Sequence, residues 1–389
     1  MAVTAPIPST MSAMLLTGHG GVDRLVLRHD VPVPRPAPGE VLVKITATAK
    51  NNTDRKAREG LYPLRKGEVT SFAIGGAPTL RFPRIQGADV VGRVVDVGDG
   101  VATSRLDERG LLDFNLYADA RSDLNLTPDY YGHGADGGFA EYIAVPSAQF
   151  HHVANATLHD AELAALGMCS YQTAYHMLNV AGVRAGERVL VSGASGGVGT
   201  ALIQLCRLLG ARPYAISQAS KSAALLALGA EAVIDRDDAE TLAERVRVAT
   251  GGAPIDAVMD LVGGSLTDRF IDTMIHSMAA RSTPPRLAIA GASGGNVSEI
   301  LWTRMYLYQV QIFGVSHGTR SEAEQLIGWI RAGRLKPVLH ATFRLSDLHA
   351  AERYFIDRDR DHLGKIVIVP DGEWEAHGAR FAAGDGALP

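Results

Sequence analysis

Two stretches of this 389-residue chain combine residue types and spacings that can do chemistry. In VLVSGASGGVGTALIQL, Gly193, Gly196, Gly197 and Gly199 separate an apolar run from an amphipathic one. A glycine-rich turn between a strand and a helix lets the backbone approach a pyrophosphate, whose charge the helix's first unpaired N–H groups hold. That assigns Ser195, Gly196, Gly197 and Val198 to a dinucleotide cradle. About 20 residues further on, an NAD site carries an acid for the ribose hydroxyls. The chain has YAISQASKS there: Ser217, Gln218 and Ser220 are neutral, and Lys221 is the nearest charge. A neutral, hydroxyl-lined pocket with one ammonium suits the 2′-phosphate of NADP(H); the plainer alternative is that Lys221 only solvates the start of the next helix. The second stretch is NNTDRKAREGLY at 51–62, where the Asn51 amide, the Thr53 hydroxyl and the Tyr62 phenol are three hydrogen-bond donors. Asn51 and Thr53 also fit an Asx- or ST-turn. Asp54 and Arg58, four apart, fit an ion pair bracing the loop.

The elements that must position these residues change character along the chain. From Met11 to about Phe150, short apolar runs such as EVLVKITATA, ADVVGRVVDVG and GGFAEYIAVP alternate with period two between Pro and Gly, which predicts a partly open β-barrel-like unit. Within it, 101–136 is polar and aperiodic, carries Phe114, Tyr117, Tyr130 and Tyr131, and reads as a lid or a surface excursion. After about Thr157, ERVLVSG, ARPYAIS, EAVIDR, IDAVMDLVG, RLAIAG and VQIFGVS alternate with helical segments. Near-continuous apolar strands separated by helices predict an α/β fold with a doubly wound parallel sheet. SEAEQLIGWIRAG then reads as a helix, and KPVLHATFRL and LGKIVIVP return to strands that complete the first unit. The expected division is 11–168 with 317–370 for the β-rich domain and 169–316 for the Rossmann domain, with flexible tails at 1–10 and 371–389.

Composition narrows the classes. Apolar residues make up 46% and charged residues 21%, and 38 Lys and Arg against 42 Asp and Glu leave a formal charge of -4. With no basic block, neither nucleic acid nor a membrane surface is an expected partner. Two cysteines, Cys169 and Cys206, cannot build a disulfide framework or a four-thiolate zinc lobe, and the start has no signal-like apolar core, so a reducing cytoplasmic setting is expected.

NNTDRKAREGLY, GADVVG at 87–92, DGGFAEYIAVP at 136–146, LGMCSYQTAYHML at 166–178, GASGGVG at 193–199, DLVGG at 260–264 and HLGKIVIVP at 362–370 together resemble the medium-chain dehydrogenase/reductase superfamily. The resemblance spans about 11 to 370 and is to its zinc-free quinone oxidoreductase and enoyl reductase branch. It implies a Rossmann doubly wound sheet plus a GroES-like partly open β-barrel domain. Where zinc-dependent members look like C-H-[ST]-D and G-H-E, this chain has Asn51, Asn52, Ala88 and Asp89. Only Cys169 still matches a ligand position, too few for a catalytic zinc, so no metal is expected. Asn51, Asp54, Arg58, Gly60 and Tyr62 match the zinc-free pattern, with Asn52 where that branch has proline.

The resemblance implies that Asn51 and Thr53 polarise the substrate oxygen and that Tyr62 is the acid that protonates carbon; Tyr62 beside Pro63 also fits a packing role. It places Thr173 near the nicotinamide, while His176 on the same helix reads as a packed residue. Val262 and Gly263, Gly291 and Ala292, and Gly314 and Val315 end three strands where such sheets bind ligands. The expected activity is hydride transfer from NADPH to a conjugated carbonyl or quinone by a homodimer. The alternatives are a zinc-free alcohol dehydrogenase or carbonyl reductase, and a non-catalytic cofactor-binding protein similar to the ζ-crystallins.

Overall fold

A computed structural model describes residues 6–74, 77–117, 123, 129–154, 157–236, 240–276, 281–357 and 361–382. The chain divides into two compact units, one of Met1–Cys169, Thr319–Arg360 and Lys365–Pro389, the other of Ser170–Gly318 and Asp361–Gly364.

The first unit is built on the strand Glu40–Ala49, whose residues are almost all buried. It pairs antiparallel with Val91–Val97 and with Tyr142–Pro146, and near its end Thr48 lies opposite Ile368 of the returning strand Lys365–Val369. The main sheet continues to Arg109–Leu112 and Phe150–His152 on one side and Leu339–Arg344 on the other, while Thr10–Leu16 lies between Leu25–Pro32 and Arg84–Ile85 in a smaller sheet. Period-two alternation sends Val41, Val43 and Ile45 into a core shared with Met14, Leu16, Phe139, Phe150, Phe343 and Ile368.

The second unit holds six parallel strands: Arg188–Val191, Arg212–Ser217, Ala232–Asp235, Ala257–Asp260, Arg286–Ile289 and Gln311–Gly314. Their spatial order is third, second, first, fourth, fifth, sixth. The order reverses between the first and fourth strands, which is where such a sheet opens a crevice at its carboxyl edge. Leu190, Val258, Met259 and Leu287 are fully buried, as strands covered on both faces must be. Among the described residues, no helix is long and apolar enough to cross a membrane.

Two expectations are corrected. The 101–136 segment is a surface excursion only in part: 102–107 is mostly exposed, whereas Arg109–Leu112 is a strand and Phe114, Tyr130 and Tyr131 are buried. Residues 118–122 and 124–128 lie outside the described residues. The supposed tail from 371 is anchored as far as 382, because the Thr342 hydroxyl donates to the Gly378 carbonyl at 2.7 Å and the Arg344 guanidinium sits 4.7 Å from the Trp374 ring centre. Residues 1–5 and 383–389 lie outside the described residues.

Candidate active site

In the first unit, Asn51 caps the helix Asn52–Glu59, its own N–H donating to the Asp54 carboxylate at 2.7 Å. Gly60 ends that helix at φ 66°, a left-handed conformation suited to glycine. The reversal brings Tyr62 back toward Thr53: the two hydroxyls lie 2.9 Å apart, and Thr53 donates to the Tyr130 hydroxyl at 2.7 Å. Thr53 has one proton, so Tyr62 is the donor in the first of these bonds. Burial raises the Tyr62 pKa, with the Thr53 hydrogen bond pulling the other way, and burial raises Tyr130 strongly; both phenols are protonated at neutral pH.

The segment after Tyr62 is held by His133. Its Nε2 is 2.6 Å from the Ser71 hydroxyl, its Nδ1 is 2.9 Å from Asp129, and Phe72 stacks on its ring at 4.0 Å. Phe72 in turn meets the Tyr62 ring edge-on at 5.7 Å. Burial pushes the Asp129 carboxyl up, but hydrogen bonds from His133 and the Tyr130 backbone outweigh it and hold the group below its ordinary range.

Asn51 turns out differently from its expected role as an oxygen-polarising donor. Its side-chain nitrogen donates to the Ala49 carbonyl at 3.1 Å and to Asp89 at 2.9 Å, and its oxygen accepts from Lys365. Both amide hydrogens are therefore committed inside the protein. Lys365 also reaches Asp89 at 3.1 Å, and the other Asp89 oxygen accepts the Cys169 backbone N–H at 2.8 Å. Of the five positions set against the zinc pattern, Asn51 and Asp89 hold the Lys365 ammonium directly, and Cys169 lies near it. Burial, with the Asp89 charge adding, pushes the Cys169 thiol well up, so in this cluster it is a neutral thiol. Among the described residues no group of three or more His, Cys, Asp or Glu is placed to hold a metal ion. Gly167 is required here, since a Cβ would come within 2.3 Å of an Asp89 carboxylate oxygen.

The expected Asp54–Arg58 pair does not form. Arg58 pairs with Glu352 at 3.1 Å, which also takes Lys50 at 3.0 Å, so the helix is braced against Leu348–Ile356 instead.

In the second unit the glycine turn has the form its sequence suggested. Gly193 has φ 58°, Gly196 caps the helix Gly197–Leu208, and a Cβ on Gly199 would lie 2.3 Å from the Gly193 carbonyl oxygen. Glycine at 199 thus lets the start of the helix pack directly against the backbone of the turn. At the end of the second strand the Ser217 hydroxyl is buried and has no hydrogen-bond partner among the described residues, a polar atom that fits an adenosine ribose or its phosphate. Lys221 is buried to 8% exposure, and its ammonium lies 3.5 Å from Asp361. That acid belongs to the distant segment Asp361–Gly364, so YAISQASKS carries no sign of it.

Asp260 also escapes a reading of the sequence. It is fully buried, and one oxygen accepts from the Ser192 hydroxyl and from the Val262 and Gly263 N–H groups at 2.8–3.0 Å. Those two N–H groups are thereby turned inward, leaving the residues to shape the edge rather than to donate from it. Gly291 packs so closely that a Cβ would come within 2.3 Å of the Leu261 oxygen, and Val315 donates its N–H to the Ile289 oxygen at 2.9 Å. Ala292 and Gly314 lie at the same carboxyl edge. Thr173 lies half-buried on the helix Met168–Val180 with His176.

A GroES-like β-rich unit and a doubly wound sheet with a glycine cradle define a two-domain oxidoreductase with a nicotinamide-type cofactor site. Residues 37–155 match the family of the alcohol dehydrogenase GroES-like domain, and 197–332 match the zinc-binding dehydrogenase family. The crystal structure of an alcohol dehydrogenase candidate from Sinorhizobium meliloti 1021 is similar, with 44% identity, a TM-score of 0.87, and coverage of 94% of this chain and 98% of that one. The NAD-dependent alcohol dehydrogenase of Sulfolobus acidocaldarius is 26% identical over 88% of this chain and 95% of its own. The quinone oxidoreductase of Rattus norvegicus is 26% identical over 92% and 98%. The chain belongs to the medium-chain dehydrogenase/reductase superfamily, in the zinc-free branch related to quinone oxidoreductases and enoyl-CoA reductases.

Proposed function

We propose that the protein is an NADPH-dependent reductase of conjugated carbonyls or quinones that uses hydroxyl groups where zinc enzymes use a Lewis acid. The observation that carries this reading is the Tyr62–Thr53–Tyr130 hydroxyl chain, set in the same unit as a cluster where the Lys365 ammonium, held by Asn51 and Asp89, is the resident cation. The bound cofactor supplies a hydride. The 193–199 turn would hold its pyrophosphate, and Ser217 and Lys221 its adenosine end.

A conjugated carbonyl that has gained a hydride is an enolate and needs a proton on its α-carbon. Tyr62 holds that proton at neutral pH and can release it there. Thr53 then turns its O–H toward the phenolate left on Tyr62, with Tyr130 donating to Thr53 behind it, so the charge is met by a chain of donors. A quinone collects its protons on oxygen and depends less on Tyr62.

One observation favours a second reading. With Thr53 donating to Tyr130 and Tyr62 donating to Thr53, the outward lone pairs of Tyr62 can accept a hydrogen bond from an alcohol hydroxyl and so position it. Steady-state rates on an enone, a quinone and a saturated ketone, and on alcohols with the oxidised cofactor, separate the two. Enone and quinone turnover well above ketone turnover is expected; dominant ketone or alcohol turnover would overturn the proposal. For the cofactor, Lys221→Ala should weaken NADPH more than NADH by about 1.5–3 kcal/mol, and Asp361→Asn should strengthen NADPH by removing a competing charge. Equal effects on both cofactors would remove Lys221 from phosphate recognition.

A further inference from the structure

Lys56 lies one turn after Thr53 on the helix Asn52–Glu59, so the two side chains share a face. It is 7% exposed, and its ammonium stands over the Tyr62 ring, 5.6 Å from the centre. The neighbouring cations are paired: Arg55 with Glu59, Arg58 with Glu59 and Glu352, Lys50 with Glu352. Lys56 alone among them makes no ion pair or hydrogen bond within the described residues, and engages only the Tyr62 ring. Burial, with Arg55 repelling it, holds the amine below the ordinary lysine range. Its place in the last turn of the helix gives a favourable dipole interaction, but that effect is small, and within the described residues the ammonium has no acceptor in exchange for the hydration that burial takes from it. A cation–π contact near the outer limit of about 6 Å does not close the gap. An ammonium kept in this state, beside the phenol proposed as acid, is a recognition group awaiting an anion.

We propose that Lys56 binds a negatively charged group on the acceptor, so that the natural substrate is a conjugated carbonyl carrying a carboxylate or phosphate. This deepens the reductase reading and, in naming the ligand an acceptor, rests on it. The test compares cinnamaldehyde with 4-carboxycinnamaldehyde, using wild type, Lys56→Met and Lys56→Arg. Wild type should favour the carboxylated aldehyde at least tenfold in kcat/KM, Lys56→Met should bring the ratio near one, and Lys56→Arg should keep most of it. Because Met removes an uncompensated buried charge, its Tm should hold or rise. Calorimetric titration of both aldehydes without cofactor reads the same preference independently of turnover. A Lys56-dependent binding preference in a protein that reduces neither aldehyde would sink the reductase reading and leave anion recognition standing. Turnover without a preference, a ratio unchanged in Lys56→Met, or a loss confined to NADPH affinity would overturn the assignment of Lys56.

Discussion

Tyr62 and Tyr130 come from separate segments of the chain and meet on one threonine oxygen. Their proximity to Thr53 makes a residue-scale prediction with two grades. Tyr62→Phe keeps the ring against Phe72 and removes only the O–H, so enone turnover should fall about 10²-fold, the lower end for general acid catalysis, while quinone turnover falls less. Tyr130→Phe should weaken enone turnover in the same direction but by less, because it acts through Thr53. Rates of both variants on one enone and one quinone check this; an unchanged enone rate in Tyr62→Phe would return that residue to packing. Asn51, by contrast, has no hydrogen left to give. Its place is to join the helix cap to the Asp89–Lys365 pair.

At the scale of elements, the turn at 193–199 and the segment around 113 respond to different insults. Gly199→Ala puts a methyl 2.3 Å from one backbone oxygen and 2.5 Å from the Ala194 Cα, atoms that cannot swing away. Folding stability should drop by about 1–3 kcal/mol, the usual cost of overpacking, and NADPH affinity should fall as the turn shifts, which denaturant unfolding and a fluorescence titration would measure; unchanged stability and affinity would mean the turn tolerates a Cβ. Asp113 is fully buried and accepts from Tyr117 at 2.7 Å and from Asn115 at 3.1 Å. Burial outweighs these bonds and pushes its pKa up to about 6. Between the unfolded carboxyl value near 4 and that folded value, the native state binds more protons than the unfolded one, so this group lowers stability as pH rises from about 4 to 6. Asp113→Asn should flatten that part of the stability curve by up to about 3 kcal/mol, read by denaturant unfolding at pH 4.5 and 7. A slope identical to wild type would show that Asp113 titrates normally.

For the whole molecule, the sixth strand Gln311–Gly314 ends the parallel sheet, and Ile312 on it is 38% exposed. Just before it, the helix Trp302–Leu307 exposes Trp302 at 74% and Tyr306 and Leu307 at 66%. An apolar edge of this kind is adhesive unless covered, and a second copy of the chain would cover it by the same edge on both sides. Light scattering should give a dimer, and Ile312→Lys combined with Trp302→Glu should shift it toward monomer. The mass of a single chain for wild type would reject the homodimer.

Much of this protein was determined by local sequence. Apolar period two, then apolar strands alternating with helices, dictated a β-rich unit and a doubly wound sheet, because burial of one or both strand faces leaves few other arrangements. The glycines at 193–199 could be read directly, since their reason for being glycine lies within the turn itself. Tertiary structure alone decided the partners. Lys365 reaches Asn51 from near the other end of the chain, Asp361 comes to Lys221, Asp260 turns two N–H groups inward, and Tyr130 completes a hydroxyl chain begun at Tyr62. Sequence spacing fixes which side chains share a helix face or a strand face, whereas a hydrogen bond between distant segments depends on how those faces pack, and the donors spent inside the fold are known only once their acceptors have arrived.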